Sequence, residues 1–142
     1  MPNMAAKTKA FFDLNIVLDV LQNREAFYDA SAQLLAFAET GKVRGFIAPH
    51  SLTTLFYLVS KDQSPAKARA TITNLLQFLS VAKIDQSTIE QAMSLSYRDF
   101  EDAVQMIAAV QSKADYFVTS NPKDFQPPML TVIQPSELIA LI

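Results

Sequence analysis

The chain has 142 residues, half of them hydrophobic, with two glycines, no cysteine and a formal charge of −2. That length suits one domain, spanning 1–142, with a substantial core, and the composition excludes a disordered chain. Disulfides, thiolate zinc sites and cysteine nucleophiles are excluded, and the slight acidity argues against a nucleic-acid binder held by charge alone. No apolar stretch approaches the ~20 residues needed to span a bilayer. The start, Met1 to Lys9, is polar and basic, without an apolar region of signal-peptide length. The expectation is a cytoplasmic protein with no membrane role.

Lys9 to Leu14 reads as a short buried strand, and Asn15 as the N-cap of a helix carrying Ile16, Val17, Val20 and Leu21. A second helix is predicted from about Glu25 to Thr40, closed by Gly41. Val43 to Ala48 is the next strand, and Pro49 suits the first turn of a helix. Leu52 to Val59 is almost wholly apolar and reads as a buried helix, although its β-branched and aromatic content also allows a strand. After a polar turn at Lys61 to Ser64, a helix is predicted over Ala66 to Leu79, a strand over Ser80 to Ile84 and a helix over Asp85 to Ser96. Phe100 to Ser112 is a strong helix. Tyr116 to Thr119 is a fourth strand, Leu130 to Ile133 a fifth, and Pro135-Ser136 opens a terminal helix, Glu137 to Leu141. Strands alternate with helices throughout, which predicts a three-layer α/β/α fold around a parallel sheet of about five strands.

In such open sheets, ligands sit outside the carboxyl ends of the strands. Asp13 ends the first strand. Asp99 and Asp102, three apart at a helix start, share a face. Asn121 and Asp124 follow the fourth strand. Each has a bland explanation: Asp99 caps its helix, Glu101 and Asp102 favour the macrodipole, and Asn121-Pro122 is a turn. Together they bring carboxylates from three segments to one sheet edge. Like charges held close repel. A hard divalent cation relieves that, and oxygen-only donors select Mg²⁺ or Mn²⁺. Such a site suits phosphodiester hydrolysis.

The residues Phe12-Asp13-Leu14-Asn15-Ile16-Val17-Leu18-Asp19, Asn23-Arg24-Glu25, Asp99-Phe100-Glu101-Asp102-Ala103 and Ala114 to Phe125 resemble the PIN domain family. That is the fold of many small metal-dependent ribonucleases, including toxins of toxin–antitoxin pairs. The resemblance spans nearly the whole chain. Its most specific part is the strand ending Thr119-Ser120-Asn121-Pro122-Lys123-Asp124-Phe125. It implies that Asp13, Asp102 and Asp124 are metal-site acids and that Thr119 and Asn121 line the site; Asn15, two residues after Asp13, joins them as a substrate-binding candidate. It also implies an RNA substrate, homodimers and an antitoxin-like protein partner.

One departure stands out. The family usually places a Glu in the helix after the second strand, a position that falls near Phe56, and no acid lies between Gly41 and Val59. Asp99 is the residue best placed to supply that charge. A second reading is therefore a catalytically impaired PIN-fold module that binds RNA or a protein. A third is a phosphotransfer enzyme with Asp13 as nucleophile, since Asp13-Leu14-Asn15 is similar to the haloacid-dehalogenase Asp-x-Asp motif. His50, the lone histidine, reads as structural, with a phosphate contact as the alternative. Arg24 reads as structural, paired with Glu25 or Asp29, with a substrate-phosphate contact as the alternative, and Asp19 as a solvated helix charge. Phe56 and Tyr57 suit burial or a dimer interface, with base stacking as the sharper alternative. Lys61, Lys67 and Arg69 read as a solvated rim.

Overall fold

The computed structural model describes residues 7–142. Most of the reading made for Met1 to Lys9 therefore lies outside the described residues. Five short strands, β1 (Lys9–Phe12), β2 (Arg44–Ile47), β3 (Leu79–Val81), β4 (Tyr116–Val118) and β5 (Thr131–Ile133), form one parallel sheet in the order β3-β2-β1-β4-β5. The strand carrying Asp13 at its end is thus the centre of the sheet. Its register pairs Phe11 with Phe46 on one side and with Phe117 on the other.

Side chains alternate across the sheet, as period-two geometry requires. Phe12, Ile47 and Val118 face one core, shared with α1 (Leu14–Leu21), α2 (Tyr28–Glu39), α3 (Pro49–Asp62), α4 (Pro65–Leu76) and α7 (Pro135–Leu141). Phe11, Phe46 and Phe117 face the other, against Met106, Ala108 and Ala109 of α6 (Phe100–Gln111). A smaller cluster joins α6 to Ala92 of α5 (Gln86–Met93). Helices on both faces give the three predicted layers. Phe11 stacks on Phe117 with ring centroids 5.5 Å apart, and Phe125 packs on Phe117 at 4.3 Å. The residue after the acidic loop is therefore pinned to the sheet.

Both glycines have steric work. Gly41 has φ +83° just beyond α2, the left-handed backbone a C-terminal cap needs. At Gly45 an added Cβ would stand 2.6 Å from Leu79 Cδ2 and 3.2 Å from Phe12 Cε2. A bare backbone is what lets β1, β2 and β3 close together there.

The structure decides several open or misplaced boundaries. The 52–59 segment is helical: Pro49 opens α3, and Ser51, Leu55 and Val59 are buried at a spacing of four, a helix face rather than a strand alternation. The second helix starts at Tyr28 instead of Glu25, because the carbonyl of Arg24 already accepts from the N–H groups of Phe27 and Tyr28 in a turn. The fourth helix stops at Leu76 because Leu79 is taken into β3 against Gly45. Asn15 is not the N-cap of α1. Asp13 holds that position with extended backbone angles, and its side chain makes no capping bond because it is engaged elsewhere. Among the described residues, no helix is long and apolar enough to cross a membrane.

Candidate active site

The central strand delivers Asp13 to the carboxyl edge of the sheet. Its backbone N–H donates to the carbonyl of Val118 at 3.0 Å, which fixes it beside the exit of β4. The side chain is only 3% exposed. Its Oδ2 accepts from Thr119 Oγ1 at 2.8 Å and from Asn15 Nδ2 at 3.0 Å, and its Oδ1 accepts from Gln105 Nε2 at 3.3 Å. Burial pushes the Asp13 carboxyl above its ordinary value, opposed by the bonds from Thr119, Asn15 and Gln105.

Asp102 enters from the first turn of α6. Its carboxyl is pushed up to about 7, first by burial and then by the negative charges of Asp99, Asp13, Asp124 and Glu101. The charges that act on Asp102 thus come from the end of β1, the start of α6 and the loop after β4. Asp99, Asp102 and Asp124, with Asn121, line one cleft of about 570 Å³ whose rim carries Arg98 and Lys123. Asp124 ends a 3-10 turn, Pro122–Asp124, and accepts from Asn121 Nδ2 at 2.7 Å. Asp99 is the N-cap of α6, accepting from the N–H of Glu101 at 2.8 Å, so its predicted capping role coexists with a place in the cleft.

Thr119 is fully buried and does not face the cleft. Its hydroxyl donates to Asp13 and accepts from the N–H of Asn121 at 3.0 Å, so it ties the two together from behind. Asn15 is likewise committed, donating to Asp13 while its Oδ1 accepts from Arg24 Nη1 at 3.0 Å.

Two parts of the arrangement escaped the sequence reading. Asp19 is not a solvated helix charge but a fully buried one. It accepts from Ser31 Oγ at 2.8 Å, from Ser120 Oγ at 3.0 Å and from Arg24 Nη1 at 3.4 Å. Arg24 therefore pairs with Asp19 and with neither Glu25 nor Asp29. The signal was present in the alternation at Thr119 and Ser120, whose hydroxyls serve Asp13 and Asp19 respectively. Gln105 was also missed. It is 4% exposed, on the α6 face toward β1, and its Nε2 stands between Asp13 Oδ1 and Asp102 Oδ1 at 3.3 and 3.5 Å. A glutamine three residues after an acid on one helix face was the available clue.

His50 does not line the cleft of Asp99, Asp102 and Asp124. It lines a mainly apolar groove of about 470 Å³ with Thr53, Ile89, Phe100 and Glu101, and its Nε2 is buried without a partner. Tyr57 is 62% exposed and Phe56 lies under the Arg69 guanidinium at 5.5 Å, so the two aromatics divide between surface and packing.

The donor set fits a hard divalent ion in charge and chemistry: carboxylate oxygens crowd Asp102, and Gln105 holds a buried carbonyl oxygen, Oε1, with no partner. Among the described residues, however, no three acidic or histidine side chains are already close enough to hold one ion. An amide N–H donor occupies the gap between Asp13 and Asp102, the same gap a cation would relieve.

A central acid at the carboxyl edge of a five-stranded parallel sheet, with an acidic helix start beside it, makes this a three-layer α/β protein with a polar site at its strand ends. A family model described as PIN domain matches residues 9–123. The chain belongs to the PIN domain family. Ribonuclease VapC1 of Aquifex aeolicus is 25% identical over 134 residues, covering 91% of this chain and 92% of that protein. A toxin-antitoxin complex from Klebsiella pneumoniae contains a similar fold, with TM-score 0.67 at 22% identity over 89% of this chain and 97% of that one. VapBC-1 of nontypeable Haemophilus influenzae gives TM-score 0.68 at 15% identity, over 91% and 99% of the two chains. VapC20 of Mycobacterium tuberculosis, described as a sarcin-ricin loop cleaving toxin, gives 0.60 at 16% identity over 76% and 86%.

Proposed function

We propose that this protein is a divalent-cation-dependent endoribonuclease of the toxin type, acting as one PIN-like unit over residues 1–142. The observation that carries the reading is Asp102, which lines a cleft with Asp99, Asp124, Arg98 and Lys123 and feels the negative charges of Asp99, Asp13 and Asp124. Asp13, Asp102 and Asp124 would hold Mg²⁺ or Mn²⁺, and Asp99 contributes the charge that α3 lacks. The ion, when bound, supplies Lewis-acid polarisation of a phosphodiester and a more acidic water. The chain does the rest. Thr119 and Asn15 hold Asp13 in one orientation by donating to the same oxygen. Asn121 orients Asp124 and stands in the cleft as a substrate contact. Arg98 and Lys123 attract the RNA backbone to an otherwise acidic surface.

The relative named a ribonuclease, a neighbour described as a sarcin-ricin loop cleaving toxin and a neighbour from a toxin–antitoxin complex support RNA as substrate and an antitoxin-like protein as partner. We infer a homodimer in the cytoplasm as the working form. The test is cleavage of a structured RNA by purified protein with and without Mg²⁺ or Mn²⁺. Cleavage should require the ion and fall at least about 100-fold in Asp13→Asn and Asp102→Asn, as expected when a metal-site acid is lost. Cleavage that persists in both variants places the chemistry elsewhere.

A further inference from the structure

The Gln105 side chain is almost fully buried and has one amide atom used twice and the other not at all. Nε2 donates to Asp13 and, more weakly, to Asp102, while Oε1 has no hydrogen-bond partner. A buried carbonyl left unpaired is costly, and the two bonds are long for N–H···O contacts. Electrostatics explains why this orientation holds. With Oε1 turned inward, a partial negative charge would face two carboxylates. With Nε2 inward, two N–H groups face them instead.

A cation at those carboxylates inverts that preference. The N–H groups would then face positive charge, whereas an amide oxygen is an ordinary ligand of hard divalent ions. The torsion that exchanges the two atoms is the soft terminal one, with two broad, nearly equivalent wells. We propose that Gln105 is a cation-responsive member of the site, whose amide bridges Asp13 and Asp102 without a divalent ion and turns to present Oε1 when one binds. The inference rests on the cation-dependent reading above.

The test is Mg²⁺ titration of ¹⁵N-labelled protein, following the side-chain NH₂ pair of Gln105 with that of Gln91 on α5 as a remote control, and calorimetry on two variants. The Gln105 pair should shift on saturation while that of Gln91 stays still. Mg²⁺ affinity should fall about tenfold or more in Gln105→Leu, the scale seen when groups supporting a metal are removed, and should rise in Gln105→Glu. If Gln105→Leu fails to fold, Gln105→Glu and the spectrum carry the result. A Gln105 pair that stays still while Asp13 and Asp102 respond to Mg²⁺ overturns this inference and leaves the cation site intact, as does wild-type affinity in Gln105→Leu. A wild-type protein that binds no Mg²⁺ overturns both.

Discussion

Asp102→Asn should make the protein more stable at pH 8, although it removes a central residue of the site. The Asp102 carboxyl is raised from 3.8 to about 7 by burial and by neighbouring acids. Between those values the folded chain holds a proton that the unfolded chain has released. Stability from this group is complete below 3.8, declines as pH rises through about 7, and is gone at pH 8. At about 1.36 kcal/mol per pH unit the full shift corresponds to roughly 4 kcal/mol. Asp102 is only half-buried, so solvent screening reduces this to about 2 kcal/mol. That is roughly 6 °C in Tm for a chain of this size. Urea unfolding from pH 5 to 8, without divalent ions, gives the measurement, and the difference between wild type and Asp102→Asn isolates the one carboxyl. Wild type should lose stability toward pH 8 relative to the variant, and Mg²⁺ should restore it. A difference that stays flat across this range, or a variant less stable than wild type at pH 8, refutes the crowding of charges on which the site reading depends.

Asp19→Ala strips the acceptor from Ser31, Ser120 and Arg24 at a fully buried position. It should cost about 3 kcal/mol in chemical denaturation, as removal of one partner of a buried pair does. Gly45→Ala drives a methyl to 2.6 Å from Leu79 Cδ2. A loss of about 1–3 kcal/mol is expected, read as a lower urea midpoint at unchanged slope. Thr119→Val removes the hydroxyl donated to Asp13 at 2.8 Å. The Asp13 carboxyl should then rise further, seen by ¹³C NMR titration, and the fold should lose about 1–3 kcal/mol at neutral pH for the lost bond to a buried acid.

The lettering of the chain was enough for the architecture. Alternating strands and helices, Pro49 and Pro135 at helix starts and Gly41 after a helix each act within a few residues, and local rules read them. The acids were legible for the same reason: Asp13, Asp102 and Asp124 stand at element boundaries, where a parallel sheet directs side chains to one edge. One boundary went astray because a distant strand made the decision, when Leu79 left its helix to pair with Gly45.

What the chain alone could not supply was which polar groups face one another. Asp19 and Asp102 are both acids on helices bearing apolar faces, yet one is sealed among two hydroxyls and a guanidinium and the other is crowded by its own kind. That difference follows from how α1 and α6 approach opposite faces of the sheet near the exit of β4. Gln105 is the sharpest case. In the sequence it is a polar residue on a core helix, and only the convergence of Asp13 and Asp102 gives its amide two partners and leaves its oxygen none. Local order was written in neighbouring residues, whereas charge proximity arises between residues about ninety positions apart and is fixed only when the layers close.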